Sequence, residues 1–147
     1  MKIHFVCRGN TYRSRLAEAY FNSLVIPDCF AVSSGIAALR NLNGPITTYA
    51  ARIIAAHGFT QYGKIGWTQS TKEDLEAADI VVFMNADVYR DCCAIIGPVM
   101  QRFYVWSVED VTPEEFDVNT IEGLADAAFA EIVNDTNALV EVLLGEK

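Results

Sequence analysis

The sequence predicts an α/β protein: a four-stranded parallel sheet with helices on both faces. Three observations carry this expectation. Short apolar runs at 3–7, 29–34, 79–84 and 102–106 alternate with stretches of helical spacing or helix-cap signals. The 147 residues are about one domain long, and no repeat, linker or biased segment marks a boundary, so one domain over 1–147 is expected. Hydrophobic residues make up 52% and charged residues 20%, which excludes a disordered chain and supplies a core.

The elements follow in order. Residues 3–7 form the first strand, ending in an Arg8-Gly9-Asn10 turn. Leu16, Ala19, Tyr20 and Leu24 then recur at helical spacing. Residues 29–34 form a second strand that stops at Gly35. Pro45 suits a first helical position, and Gly58 follows His57 where that helix would end. Ser70 and Glu73 make a capping-box pair before a short helix. Residues 79–84 are the clearest buried strand. Asn85 is placed to cap the next helix, and Gly97-Pro98 to stop it. Residues 102–106 make the fourth strand. Thr112, Pro113 and Glu115 look like a helix start. Ile121, Leu124, Ala128, Ile132, Leu139 and Leu143 form the apolar stripe of a final amphipathic helix. In such sheets ligands bind beyond the carboxyl ends of the strands, where the strand order reverses. Cys7 ends the first strand, and the fourth leads to Glu109 and Asp110, so both loops should share one edge.

The net charge of −8 argues against a nucleic-acid partner. It hides an asymmetry: residues 1–73 carry a net +5 and residues 74–147 a net −13. A positive half in an acidic protein allows a local site for an anion. The chain is long enough to fold without staples, so Cys7, Cys29, Cys92 and Cys93 need not be a disulfide framework. There is no leader of signal-peptide layout, and no apolar run of the roughly 18 residues a membrane span needs. A soluble cytoplasmic protein without a membrane partner is expected.

The sharpest feature is Cys7-Arg8-Gly9-Asn10-Thr11-Tyr12-Arg13-Ser14. Five residues separate a cysteine at a strand end from an arginine at a helix start. A short loop curling there aims backbone N–H groups at one point, and the helix N-terminus adds its positive end. Gly9 permits a positive φ in the curl, and Asn10 tolerates one better than most residues. The Arg13 fork matches two phosphate oxygens. The fold expectation thus gains a phosphate-binding loop after strand 1. The same fields act on the thiol: a free cysteine near ~8.5 falls to roughly 3.5–7.5 in such settings, so Cys7 should be a thiolate at neutral pH. Ser14 is placed to donate a hydrogen bond to it. No metal motif emerges, since His4 and His57 lack ligand spacing with the cysteines. His4 should pack in the first strand, and His57 sits at a helix end.

The chain resembles the low-molecular-weight protein-tyrosine phosphatases, and the thioredoxin-coupled arsenate reductases that share their fold. The resemblance runs from Cys7–Ser14 through Leu16–Ala19, Val32–Gly35, Ala56–Gly58 and Ala78–Met84 to Trp106–Asp110. It implies a metal-free phosphatase with no cofactor. Cys7 would attack phosphorus and form a phosphocysteine intermediate. Arg13 and the amides of Arg8, Gly9, Asn10, Thr11, Tyr12 and Ser14 would hold the phosphate oxygens. Asp110 would protonate the leaving group and then activate water, with Glu109 as the rival acid. Asn10, Ser14 and Ser33 would brace the loop. The implied substrate is phosphotyrosine in a protein, with inorganic phosphate or a similar oxyanion in the loop, and a monomer is expected.

The departures set the alternatives. Val111 stands where the family usually has proline, and the aromatics that follow the acid are absent. Leu39 falls near another usual pocket aromatic. Tyr12 replaces a second cysteine, and reads as a pocket wall, a phosphorylation site or a space filler. Arg15 replaces a common proline and would add charge near the mouth. Tyr62 stands roughly where a loop-bracing histidine is usual. Thr11 resembles the branch that acts on phosphoarginine, so a protein-arginine phosphatase is the first alternative. An arsenate reductase would need a cysteine relay. Cys92 and Cys93 lie on the right segment, but the upstream partner falls at Asn85. A phosphate-binding module without turnover is the third alternative.

Overall fold

The computed structural model describes residues 1–111 and 117–146. Four strands form the sheet: β1 (Lys2–Cys7), β2 (Phe30–Gly35), β3 (Ile80–Phe83) and β4 (Arg102–Val105). Every pairing is parallel and the order is β2-β1-β3-β4. The chain therefore reverses direction across the sheet at β1, and Cys7, paired with Gly35, sits at that reversal.

The helices are α1 (Arg13–Ser23), α2 (Thr48–Ala56), α3 (Lys72–Glu76), α4 (Ala86–Ile95) and α5 (Val118–Gly145). Strand alternation divides the core between the two faces. Ile3, Phe5, Cys7, Ile80 and Val82 join Leu16, Ile53, Phe129 and Ile132 of α1, α2 and α5 on one face. Val6, Val81 and Phe83 join Leu75, Val88 and Cys92 of α3 and α4 on the other. Burying each such side chain contributes roughly 1.5–3 kcal/mol, which fixes the register of the strand ends that carry the site.

All four expected strands form, with ends shifted by one residue at most positions. Asn85 caps α4 by accepting the Val88 N–H at 2.9 Å, as its position predicts. Gly58 and Gly97 take positive φ just beyond α2 and α4. Two caps move. α2 starts at Thr48 with Thr47 as its cap, leaving Pro45 outside, where its carbonyl accepts from Arg15. Thr71 rather than Ser70 caps α3, because the Ser70 hydroxyl is taken by Ser34 at 2.6 Å. On α5 the buried stripe is Ala125, Ala128, Phe129, Ile132, Thr136, Leu139 and Leu143, with Leu124 exposed. The helix start expected at Thr112, Pro113 and Glu115 lies outside the described residues, and Asp117 caps α5. Among the described residues no helix is long and apolar enough to cross a membrane.

Candidate active site

Residues 7–13 leave β1, curl once and enter α1 at Arg13. The left-handed residue of the curl is Asn10, at φ 55°, and not Gly9. A short polar side chain that bonds locally makes that conformation tolerable. The turn aims the Asn10 N–H at Cys7 Sγ, 3.2 Å away. Ser14 Oγ lies 2.8 Å from the same sulfur. That hydroxyl already accepts from Asn10 Nδ2 at 2.7 Å, which leaves its proton free to point at the sulfur.

Asn10 is buried and every group of it is used. Its Nδ2 also donates to Ser33 Oγ at 2.9 Å, and its Oδ1 accepts the Thr68 N–H at 2.8 Å. Ser33 Oγ donates onward to Glu18 at 3.0 Å. The three braces expected from sequence therefore meet in one network. Thr68, Glu18 and Lys64 were not expected there. Lys64 donates to the Ser33 carbonyl at 2.6 Å and to Thr68 Oγ1 at 2.8 Å. Tyr62, which stands roughly where a loop-bracing histidine is usual, accepts from Asn22 through its carbonyl. Burial raises the Glu18 carboxyl above its ordinary range, and Lys64 and Ser33 pull it partly back.

Gly35 supplies the room for this packing. A Cβ there would lie 2.6 Å from the Arg8 carbonyl oxygen and 2.7 Å from the Asn10 nitrogen. No side chain fits, because both neighbours are backbone. The sequence marked Gly35 only as a strand stop.

A cavity of about 350 Å³ opens over Cys7. Arg8, Gly9, Thr11, Tyr12 and Arg13 line it together with Asp110 of the β4 loop. Arg13 is nearly enclosed: Nη1 donates to the Val108 carbonyl at 2.9 Å, and Nη2 lies 3.5 Å from Asp110 Oδ2. Asp110 is half exposed, and its Oδ1 accepts the Val111 N–H at 2.9 Å. Glu109 does not line this cavity; it lines a separate groove against α5 with Leu124 and Glu131. The geometry thus brings Cys7, Arg13 and Asp110 to one edge and turns Glu109 away.

Other residues land elsewhere than expected. Arg15 is not near the mouth: it is 2% exposed, and donates to the carbonyls of Asn10 (3.3 Å), Pro45 (2.8 Å) and Lys64. Arg8 reaches across to Asp91 of α4 at 2.9 Å. Leu39 is exposed and does not line the cavity, whereas Leu42 does. Tyr12 is buried and meets Tyr49 edge to face at 4.9 Å, and both rings line the cavity. The enclosed Tyr12 hydroxyl speaks against a phosphorylation site; burial pushes it well above the usual phenol range. The four cysteines are free thiols. Cys92 is fully buried in α4, which pushes its thiol up to about 11.

Solved structures with this fold span most of the chain. A low molecular weight protein tyrosine phosphatase from T. tengcongensis is 25% identical, covers 96% of this chain and 98% of its own, and has a TM-score of 0.72. Two arginine phosphatases share the fold. One, from Geobacillus stearothermophilus, is 20% identical with a TM-score of 0.73 over 99% of this chain and 97% of its own. The other, from drosophila, is 19% identical with a TM-score of 0.74 over 97% and 98%. No curated protein matches the sequence. The model of the family described as low molecular weight phosphotyrosine protein phosphatase matches residues 2–146. With that match spanning nearly every residue around the Cys7 loop, the chain belongs to the low molecular weight phosphotyrosine protein phosphatase family.

Proposed function

We propose that the protein is a metal-free phosphatase that hydrolyses phosphomonoesters, with phosphotyrosine in proteins as its substrate. The observation that carries this is the convergence of Cys7, Arg13 and Asp110 on one cavity, with an amide and a hydroxyl at the sulfur. The Cys7 thiolate attacks phosphorus as the bond to the leaving oxygen breaks, and that oxygen takes its proton from Asp110. Arg13 and the loop from Arg8 to Ser14 hold the phosphoryl oxygens through the transfer. Water then attacks the phosphocysteine, gives its proton to the Asp110 carboxylate, and phosphate leaves with Cys7 again a thiolate. Stabilisation of the thiolate by the Asn10 amide and Ser14 also makes it a competent leaving group.

Tyr12 and Tyr49 give an aromatic ester two apolar walls, which supports phosphotyrosine despite the missing aromatics after the acid. The second reading is a protein-arginine phosphatase. It is favoured by Thr11, which lines the cavity, and two structures sharing the fold are arginine phosphatases. The arsenate reductase reading loses support, because the Cys92 thiol is buried and held far above neutrality. A binding module without turnover is disfavoured by an acid beside the Arg13 fork. We further expect a single-domain cytoplasmic monomer acting on phosphorylated protein, with no nucleic-acid or membrane partner.

A panel of phosphotyrosine, phosphoarginine and phosphoserine peptides in chelator tests this reading. Phosphate release from phosphotyrosine should exceed that from the others and vanish in Cys7→Ser. Faster release from phosphoarginine would install the second reading. No release from any peptide by folded protein would refute a phosphatase.

A further inference from the structure

We propose that Lys64 is a positioning residue for the phosphate loop: its ammonium ties Ser33 to Thr68 and so fixes the Asn10 turn that aims an amide at Cys7. The effect on turnover rests on the phosphatase reading; the effect on Cys7 does not.

The wiring is specific. Ser33 and Thr68 grip opposite ends of the Asn10 amide, Nδ2 and Oδ1. Lys64 bonds both residues, one through its carbonyl and one through its hydroxyl. Arg15 adds a second tie, because it donates to the main-chain carbonyls of both Asn10 and Lys64. The lysine is thus joined to Asn10 through its side chain and through its backbone. Asn10 in turn holds a left-handed φ that a non-glycine residue keeps only when its surroundings over-determine it. Its N–H is a donor to the candidate nucleophile, so a small rotation there is felt at the sulfur.

A neutral side chain would fill the same space more cheaply, since a half-buried ammonium loses hydration. The ammonium sits among groups of both signs. Glu18 and Arg15 face it from α1, Lys2, His4 and Cys7 from β1, and Asp74 from α3. Burial pushes Lys64 down to about 8, with Glu18 and Cys7 drawing it up and Arg15 drawing it further down. The tie therefore weakens as pH rises through about 8, when the ammonium loses one donor and its charge.

The test is alkylation of Cys7 by iodoacetamide against pH, followed at the Cys7 peptide by mass spectrometry. The alkylation rate itself needs no turnover. In Lys64→Met the rate at acidic pH should fall about tenfold and the midpoint should move upward. Lys64→Arg, which keeps a charged donor, should restore most of the rate. Protection of Cys7 by inorganic phosphate should weaken about tenfold in Lys64→Met, and the wild-type loss of protection above about pH 8 should disappear. A folded Lys64→Met protein with an unchanged alkylation profile would overturn the proposal. If Lys64→Met does not fold, Thr68→Val removes one of the two ties and leaves the charge. It should slow alkylation several-fold, and an unchanged profile overturns the proposal equally. A wild-type protein whose Cys7 phosphate never protects would instead count against the phosphatase reading.

Discussion

At the scale of the residue, the most informative side chains are polar groups that water does not reach. His4 is 2% exposed and bonds Ser34 Oγ at 2.7 Å through Nε2. Burial pushes it down to about 4 from its ordinary 6.5. The folded protein therefore holds His4 neutral while the unfolded chain takes up a proton, so stability falls as pH drops from 6.5 towards 4. Between about pH 7 and pH 5 this costs roughly 2 kcal/mol. Urea unfolding of His4→Gln at both pH values should show the pH dependence reduced by that amount; equal dependence in both proteins would contradict it. Cys7, Arg13 and Ser14 were legible because their spacing follows from the loop itself. Arg15 and Lys64 were not, because a charged side chain in a sequence reads as surface. Their burial depends on residues 60–70 returning against the phosphate loop, which no local pattern encodes.

At the scale of the element, the site depends on how closely the curl of residues 8–10 approaches the end of β2. Gly35 makes that approach possible: an added Cβ would meet the Arg8 carbonyl, Gly9 and Asn10 backbone at 2.6–2.8 Å. Gly35→Ala should cost about 1–3 kcal/mol in urea unfolding and weaken inorganic phosphate binding, because the loop must shift to admit the methyl. A variant as stable as wild type with unchanged phosphate affinity would show the loop is not so constrained. The strands were legible as apolar runs, since both faces of a parallel sheet are covered. Helix starts were legible only where the cap had no competing partner. Asn85 kept its role, whereas Ser70 lost it to Thr71 once Ser34 claimed its hydroxyl.

At the scale of the whole molecule, the charge asymmetry becomes a pattern of pairings between the two halves. Arg8, Arg13 and Arg52 of the positive half meet Asp91, Asp110 and Asp126 of the acidic half. The exposed pairs contribute little to stability. The Arg13–Asp110 pair differs, because it joins the phosphate loop at the end of β1 to the loop after β4 over one cavity. That the two loops share an edge was legible from the parallel topology; that Asp110 rather than Glu109 faces the cavity was not, since adjacent acids differ only in the turn of the loop. In the proposed reaction phosphorus passes to Cys7 and Asp110 then activates water. Acid-quench mass spectrometry during turnover of p-nitrophenyl phosphate tests both steps. A phosphoryl group should accumulate on Cys7 in Asp110→Asn, where hydrolysis of the intermediate is slowed, and not in Glu109→Gln. Steady turnover by the Asp110 variant with no phosphate ever found on Cys7 would contradict both steps.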